Sequence, residues 1–172
     1  FGTIGMFWSS DHGNSCENIN EGILNNKITC MDVQQGNRVF FCTLDGIQLT
    51  TNGGQTWEHK GLHYSIINSI ALKPDGDILV STGSDTAIYK SSNNGNSWEK
   101  FCDINCYKVF TEKPPYIFVS VSGGIKRSSD EGVTWDFSPI KMNAIPEICF
   151  LPNGDILAGT QGIYRSTNNG AN

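Results

Sequence analysis

An eight-residue pattern, Ser/Thr-x-Asp/Asn-x-Gly-x-Ser/Thr-Trp, recurs along this chain and constrains its fold more than any other feature. Full copies stand at Thr50–Trp57, Ser91–Trp98 and Ser128–Trp135. Ser9–Ser15 repeats the pattern with Cys16 in place of the tryptophan, and Ser166–Gly170 repeats its first five positions. The glycines, Gly13, Gly54, Gly95, Gly132 and Gly170, lie 41, 41, 37 and 38 residues apart. A fixed period near 40 residues marks a repeat architecture in which each repeat is one supersecondary unit.

The residue types read as a hairpin turn. Asp or Asn at the third position (Asp11, Asn52, Asn93, Asp130, Asn168) folds its side chain onto backbone N–H groups two residues on. Glycine at the fifth position accepts the positive φ of a tight reversal. Trp57, Trp98 and Trp135 then open the next strand as large anchors, expected to be buried against their own turns.

Between turns the text repeats four short β-rich runs bounded by Gly, Pro and Asn. In one repeat these are Ile66 to Lys73, Ile78 to Thr82, Thr86 to Ser91 and Ser97 to Phe101, with Pro74-Asp75-Gly76-Asp77 turning the first pair. Runs such as Val39-Phe40-Phe41 and Ile78-Leu79-Val80 are apolar on both faces, as in sheets packed between neighbours. Four antiparallel strands per 40-residue repeat describe a blade of an all-β propeller. The expected repeats run approximately 1–20, 27–60, 66–101, 106–138 and 145–172, about four blades in all. The hairpin turn centred on Gly36 pairs residues whose numbers sum to 72, which sets Cys30 opposite Cys42.

The recurring turn resembles the Asp-box, the BNR-type repeat of sialidase-like, sortilin-like and photosystem-assembly-factor-like propellers. The resemblance covers the whole chain. It implies six or more blades in the complete ring, so the chain is expected to be a piece of a larger propeller whose open blade edges favour self-association. It implies a ligand face opposite the Asp-boxes, which are themselves structural, and it leans towards a secreted or cell-envelope setting.

Net charge is −5 and no basic cluster forms, so a nucleic-acid surface is not expected. No apolar run approaches the roughly 18 residues of a membrane span. Six cysteines, at 16, 30, 42, 102, 106 and 149, show no zinc-type CxxC pairs, and neither a metal nor a cofactor is expected.

Blade topology sends the loops between strands two and three, and those between blades, to the end away from the boxes. That rim collects Asp45, Asp85, His59, His63, Tyr64, Asp103 and Tyr107. Such groups serve acid–base chemistry or polar binding, and each also has the plainer reading of a solvated loop residue. Sialidases grip the substrate carboxylate with three arginines, a task suited to the guanidinium fork. Here Arg38, Arg127 and Arg165 all map to the box end, so no such triad forms. Asp45 and Asp85, in related loops of adjacent blades, are the carboxylate pair to name for another glycoside hydrolase. No complete catalytic set is present. The leading expectation is therefore a non-catalytic module that binds a protein or carbohydrate partner, with His63, Tyr64, Asp103 and Tyr107 as contact candidates. A glycosidase is the alternative.

Overall fold

Residues 5–23, 27–34, 38–63, 65–138, 147–159 and 162–171 are described in the computed structural model. Tyr64, residues 35–37 where the sequence places a turn, and residues 139–146 lie outside them. Among the described residues, seventeen strands form five antiparallel sheets. Blade I contributes β1 (Phe7–Trp8) and β2 (Glu17–Asn18). Blade II contributes β3 (Ile28–Gln34), β4 (Arg38–Thr43), β5 (Gly46–Thr50) and β6 (Glu58–His59). Blade III follows with β7 (Ile67–Leu72), β8 (Ile78–Thr82), β9 (Ile88–Ser91) and β10 (Glu99–Cys102). Blade IV holds β11 (Lys108–Phe110), β12 (Ile117–Val121), β13 (Gly124–Ser128) and β14 (Asp136–Phe137), and blade V holds β15 (Glu147–Phe150), β16 (Ile156–Gly159) and β17 (Ile163–Ser166). Each sheet is a meander in chain order, and the described residues include no helix.

The second strands explain why blades stack. β8 and β12 are buried along their whole length and β4 along most of it, so both of their faces need partners. Phe40, Cys42 and Ile47 of blade II interleave with Ile67, Ile70 and Val80 of blade III. The other face of blade III, with Leu79 and Ile88, meets Val109, Ile117 and Val119 of blade IV. Phe118 and Ile125 then meet Ile156 and Ala158 of blade V. The innermost strands are also stitched across blades. Leu72 N–H donates to the Asp32 carboxylate at 3.0 Å, and Val109 N–H to the Ser69 hydroxyl at 3.2 Å.

The five box turns share one hydrogen-bond scheme. The first-position hydroxyl accepts from the glycine N–H, at 2.8 Å in Ser9, Ser91, Ser128 and Ser166 and 2.9 Å in Thr50. The Asx oxygen reaches the N–H four residues on, not two: Asn93 Oδ1 accepts from Ser97 N–H at 2.9 Å and Asp130 Oδ1 from Thr134 N–H at 2.9 Å. The longer reach follows from the backbone. The fourth residue is left-handed as well as the fifth, with φ of +61° at Asn94 and +56° at Glu131, and two such residues in succession carry the chain further before it can donate.

The box tryptophans differ from expectation in a related way. They are half-buried rather than buried; Trp57 and Trp98 lie against Gly54 and Gly95 of their own turns as expected, but their indole N–H groups bond across blades. Trp57 Nε1–H donates to Ile19 C=O at 3.0 Å, and Trp98 Nε1–H to Lys60 C=O at 2.6 Å. Only Trp135 stays at home, donating to Gly132 C=O at 3.0 Å.

Candidate functional site

The rim opposite the box turns carries two polar groupings, one per blade. In blade II the turn between β4 and β5 presents Asp45. Its partner segment is the chain leaving β6, which bends back through Gly61 (φ +88°) and Leu62 (φ +54°). A non-glycine residue in the left-handed region carries strain that the surroundings must hold. Backbone bonds do so here: Ile47 N–H donates to Gly61 C=O at 3.2 Å, and Lys60 N–H to Ile47 C=O at 2.8 Å. Gly46 makes the close approach possible, because a Cβ there would lie 2.5 Å from the Gly61 carbonyl oxygen.

That bend lays His63 on His59, with ring centroids 3.7 Å apart and planes 4° from parallel. His59 Nδ1 accepts from Gly61 N–H at 3.0 Å. The proton of the neutral ring therefore sits on Nε2, which donates to Asp45 C=O at 2.9 Å. The donor atoms of Asp45, His59 and His63 lie within 4.8 Å of one another. These are metal-ligand residue types, yet both nitrogens of His59 are committed to backbone. Two parallel stacked rings also cannot both point in-plane lone pairs at one ion.

In blade III, Asp85 sits in the turn between β8 and β9. Its carboxylate accepts from the Thr82 hydroxyl and, at 2.5 Å, from Tyr89 Oη–H. These two bonds hold the Asp85 carboxyl below its ordinary range, and the Asp85 bond in turn raises the Tyr89 phenol. Tyr89 pairs in register with Lys100, whose ammonium meets Asp103 at 2.6 Å.

The named candidates thus divide. The structure groups Asp45 with His63, and places Asp85 near Asp103 through Tyr89 and Lys100. No hydrogen bond or ion pair joins Asp45 to Asp85 among the described residues. Tyr107 is exposed at the start of blade IV, where its N–H donates to Ser120 C=O at 2.9 Å, apart from both groupings. Tyr64 lies outside the described residues. Tyr89 and Lys100 did not stand out in the sequence because both lie on regular strands. Counting four residues on from Asp85 would have found the tyrosine.

A cavity of about 650 Å3 lies elsewhere. It opens between blades I and II, lined by Phe7, Trp8, Met31, Val33 and the box turn of Thr50–Trp57. Its walls are largely apolar, with Glu17, Asn52 and Gln55 among the polar groups that line it.

No family model matches the chain. A xyloglucanase from a Paenibacillus species is 26% identical over 144 residues, 73% of this chain but 14% of that protein. Among solved structures, an ancestral GH74 enzyme superposes with a TM-score of 0.70 at 24% identity, over 90% of this chain. The fold is a β-propeller. The propeller YCF48, solved bound to D1 peptide, follows with a TM-score of 0.64 at 16% identity over 82% of this chain. The chain spans 24% of the GH74 chain and 52% of the YCF48 chain.

Proposed function

We propose that this chain is an Asp-box propeller segment, with repeats at approximately 1–20, 27–60, 66–101, 106–138 and 145–172, that binds a protein or carbohydrate partner on the rim opposite the boxes without cleaving it. The observation that carries this reading is the engagement of the Asp85 carboxylate by two neighbouring hydroxyls. Hydrolysis by a carboxyl pair needs one member held protonated as the acid. The Thr82 and Tyr89 hydroxyls occupy the Asp85 carboxylate and hold it below its ordinary range, which unsuits Asp85 for the acid's role, and no hydrogen bond joins it to Asp45 among the described residues. What the rim offers is recognition chemistry: a stacked imidazole pair, a phenol–carboxylate pair and an ammonium, the sort of polar groups that orient a ligand on a rigid scaffold.

A glycoside hydrolase is the second reading, supported by the likeness to a xyloglucanase. In that case the segment would contribute part of a longer enzyme's substrate face. The bound peptide of YCF48 supports a protein partner. The open apolar face of Met31 and Val33, 54% and 61% exposed, suits self-association, which light scattering across a dilution series would register as a falling mass.

Glycan and peptide arrays probed with wild type, His63→Ala, Tyr89→Phe and the box-end variant Gln55→Ala test the site. Binding is expected to weaken about tenfold in the rim variants and to survive in Gln55→Ala. Weakening confined to Gln55→Ala would place the ligand at the box end and sink the assignment.

A further inference from the structure

The antiparallel register of β3 and β4 sets Cys30 directly across from Cys42. Directly opposed residues in such a ladder have Cα atoms about 4.5–5.5 Å apart, inside the span a disulfide bridges. Both side chains point to the same face, where Cys42 is fully buried in the blade II–blade III core and Cys30 packs against it from a half-buried position. Both are free thiols in this structure. We propose that Cys30 and Cys42 form a reactive dithiol that low-molecular-weight disulfides such as oxidised glutathione convert to a cross-strand bridge, with Cys30 attacking and Cys42 resolving.

The two thiols are suited to different roles. Cys30 is the accessible one, and its sulfur is approached by Thr29 Oγ1 at 3.9 Å. Hydrogen bonding from the Cys42 thiol holds Cys30 below the ordinary thiol range, while burial pushes Cys42 well up. The thiolate is the nucleophile in disulfide exchange, so Cys30 reacts first. Cys30 Sγ, having lost its proton, attacks one sulfur of oxidised glutathione. The glutathione S–S bond breaks, and one glutathione leaves and takes up that proton. Cys42 then gives up its proton as its sulfur attacks Cys30 Sγ, breaking the mixed disulfide and releasing the second glutathione. The dithiol is oxidised by two electrons and one glutathione disulfide is reduced to two thiols.

The other cysteines behave differently. Cys149 stands opposite Leu157 and Cys16 is exposed without a cysteine across from it among the described residues, so each can only hold a mixed disulfide. Burial pushes Cys102 up to about 11 and Cys106 up to about 12, which suppresses their thiolates. The bridge would tie the innermost strand of blade II to the strand that feeds the Asp45 turn.

Native protein is treated with oxidised glutathione, free thiols are alkylated, and peptides are mapped by mass spectrometry, with circular dichroism confirming the fold throughout. In wild type the peptides containing Cys30 and Cys42 are expected as one cross-linked species lacking two hydrogens, while Cys16 and Cys149 carry glutathione. In Cys42→Ser a lasting glutathione adduct is expected on Cys30. In Cys30→Ser, Cys42 is expected to stay a free thiol. Should either variant fail to fold, the wild-type map decides by itself. A wild-type map in which Cys30 is alkylated, or keeps glutathione, while Cys16 and Cys149 react normally would overturn the proposal. So would a bridge that forms only after denaturant is added.

Discussion

Trp98 donates its indole N–H to the carbonyl of Lys60 at 2.6 Å, so the residue that begins one blade's outer strand is fastened to the blade before it. The same indole lies 3.2 Å from the Cβ position of Gly61, the residue on which the rim bend turns. One side chain therefore serves as blade staple and as the floor of the histidine loop. Truncating Trp98 to Ala removes both roles and is expected to cost about 3 kcal/mol. Trp98→Phe keeps much of the packing and loses the bond, for about 1 kcal/mol. Denaturant unfolding measures both. Equal losses in the two variants would show that packing is not what the indole contributes.

Gly46 tests how tightly the rim is built. Alanine there combines a φ of +99° with a Cβ 2.5 Å from the Gly61 carbonyl oxygen and 2.8 Å from that of Leu62. Backbone on both sides leaves no side chain to swing away. Gly76, with φ of +96°, meets nothing within 4 Å, so alanine there carries only the conformational cost of about 1–2 kcal/mol. Gly46→Ala is expected to cost at least about 3 kcal/mol and to shift the His59 and His63 imidazole NMR signals. A stability loss no larger than that of Gly76→Ala would show that the loop is not held as described.

Two of the recurring turns, at Asp11 and Asp130, use an acid where the other three use an amide, and pH separates the two kinds. Hydrogen bonds from Ser15 and Ser9 hold the Asp11 carboxyl down at about 2, and Thr134 and Ser128 hold Asp130 below its ordinary range. A carboxyl with a folded pKa below its unfolded one stabilises the fold above the unfolded value. That contribution disappears as pH falls through the folded value. Asn52 and Asn93 keep the same turn with an amide, donating from Nδ2 to Thr56 and Ser97 at 2.8 Å. The double variant Asp11→Asn/Asp130→Asn should therefore lose less melting temperature than wild type between about pH 5 and about pH 2. Identical acid profiles would contradict the role given to these bonds.

Sequence reading went furthest where one residue type has one physical use. The period of the box glycines marked the blades, and the sum rule about Gly36 placed Cys30 opposite Cys42, as found. It failed where the partner belongs to another repeat. Nothing within Trp98 and its neighbours indicates that its bond crosses to Lys60. The same limit applies at the rim, where His59 and His63 stack across a bend in which Leu62 adopts a left-handed conformation unusual for leucine. Asp45 and Asp85 occupy equivalent loops, yet each is engaged within its own blade.

A rim that recognises a polymer without cleaving it shows binding and no turnover. Reducing-end release from xyloglucan and a panel of β-glucans would be followed for wild type and for Asp45→Ala/Asp85→Ala, with binding to the same polymers recorded in parallel. No release above the buffer blank by either protein is expected, together with weaker binding by the double variant wherever wild type binds. Release by wild type that the double substitution abolishes would contradict the account and establish the two aspartates as a hydrolytic pair.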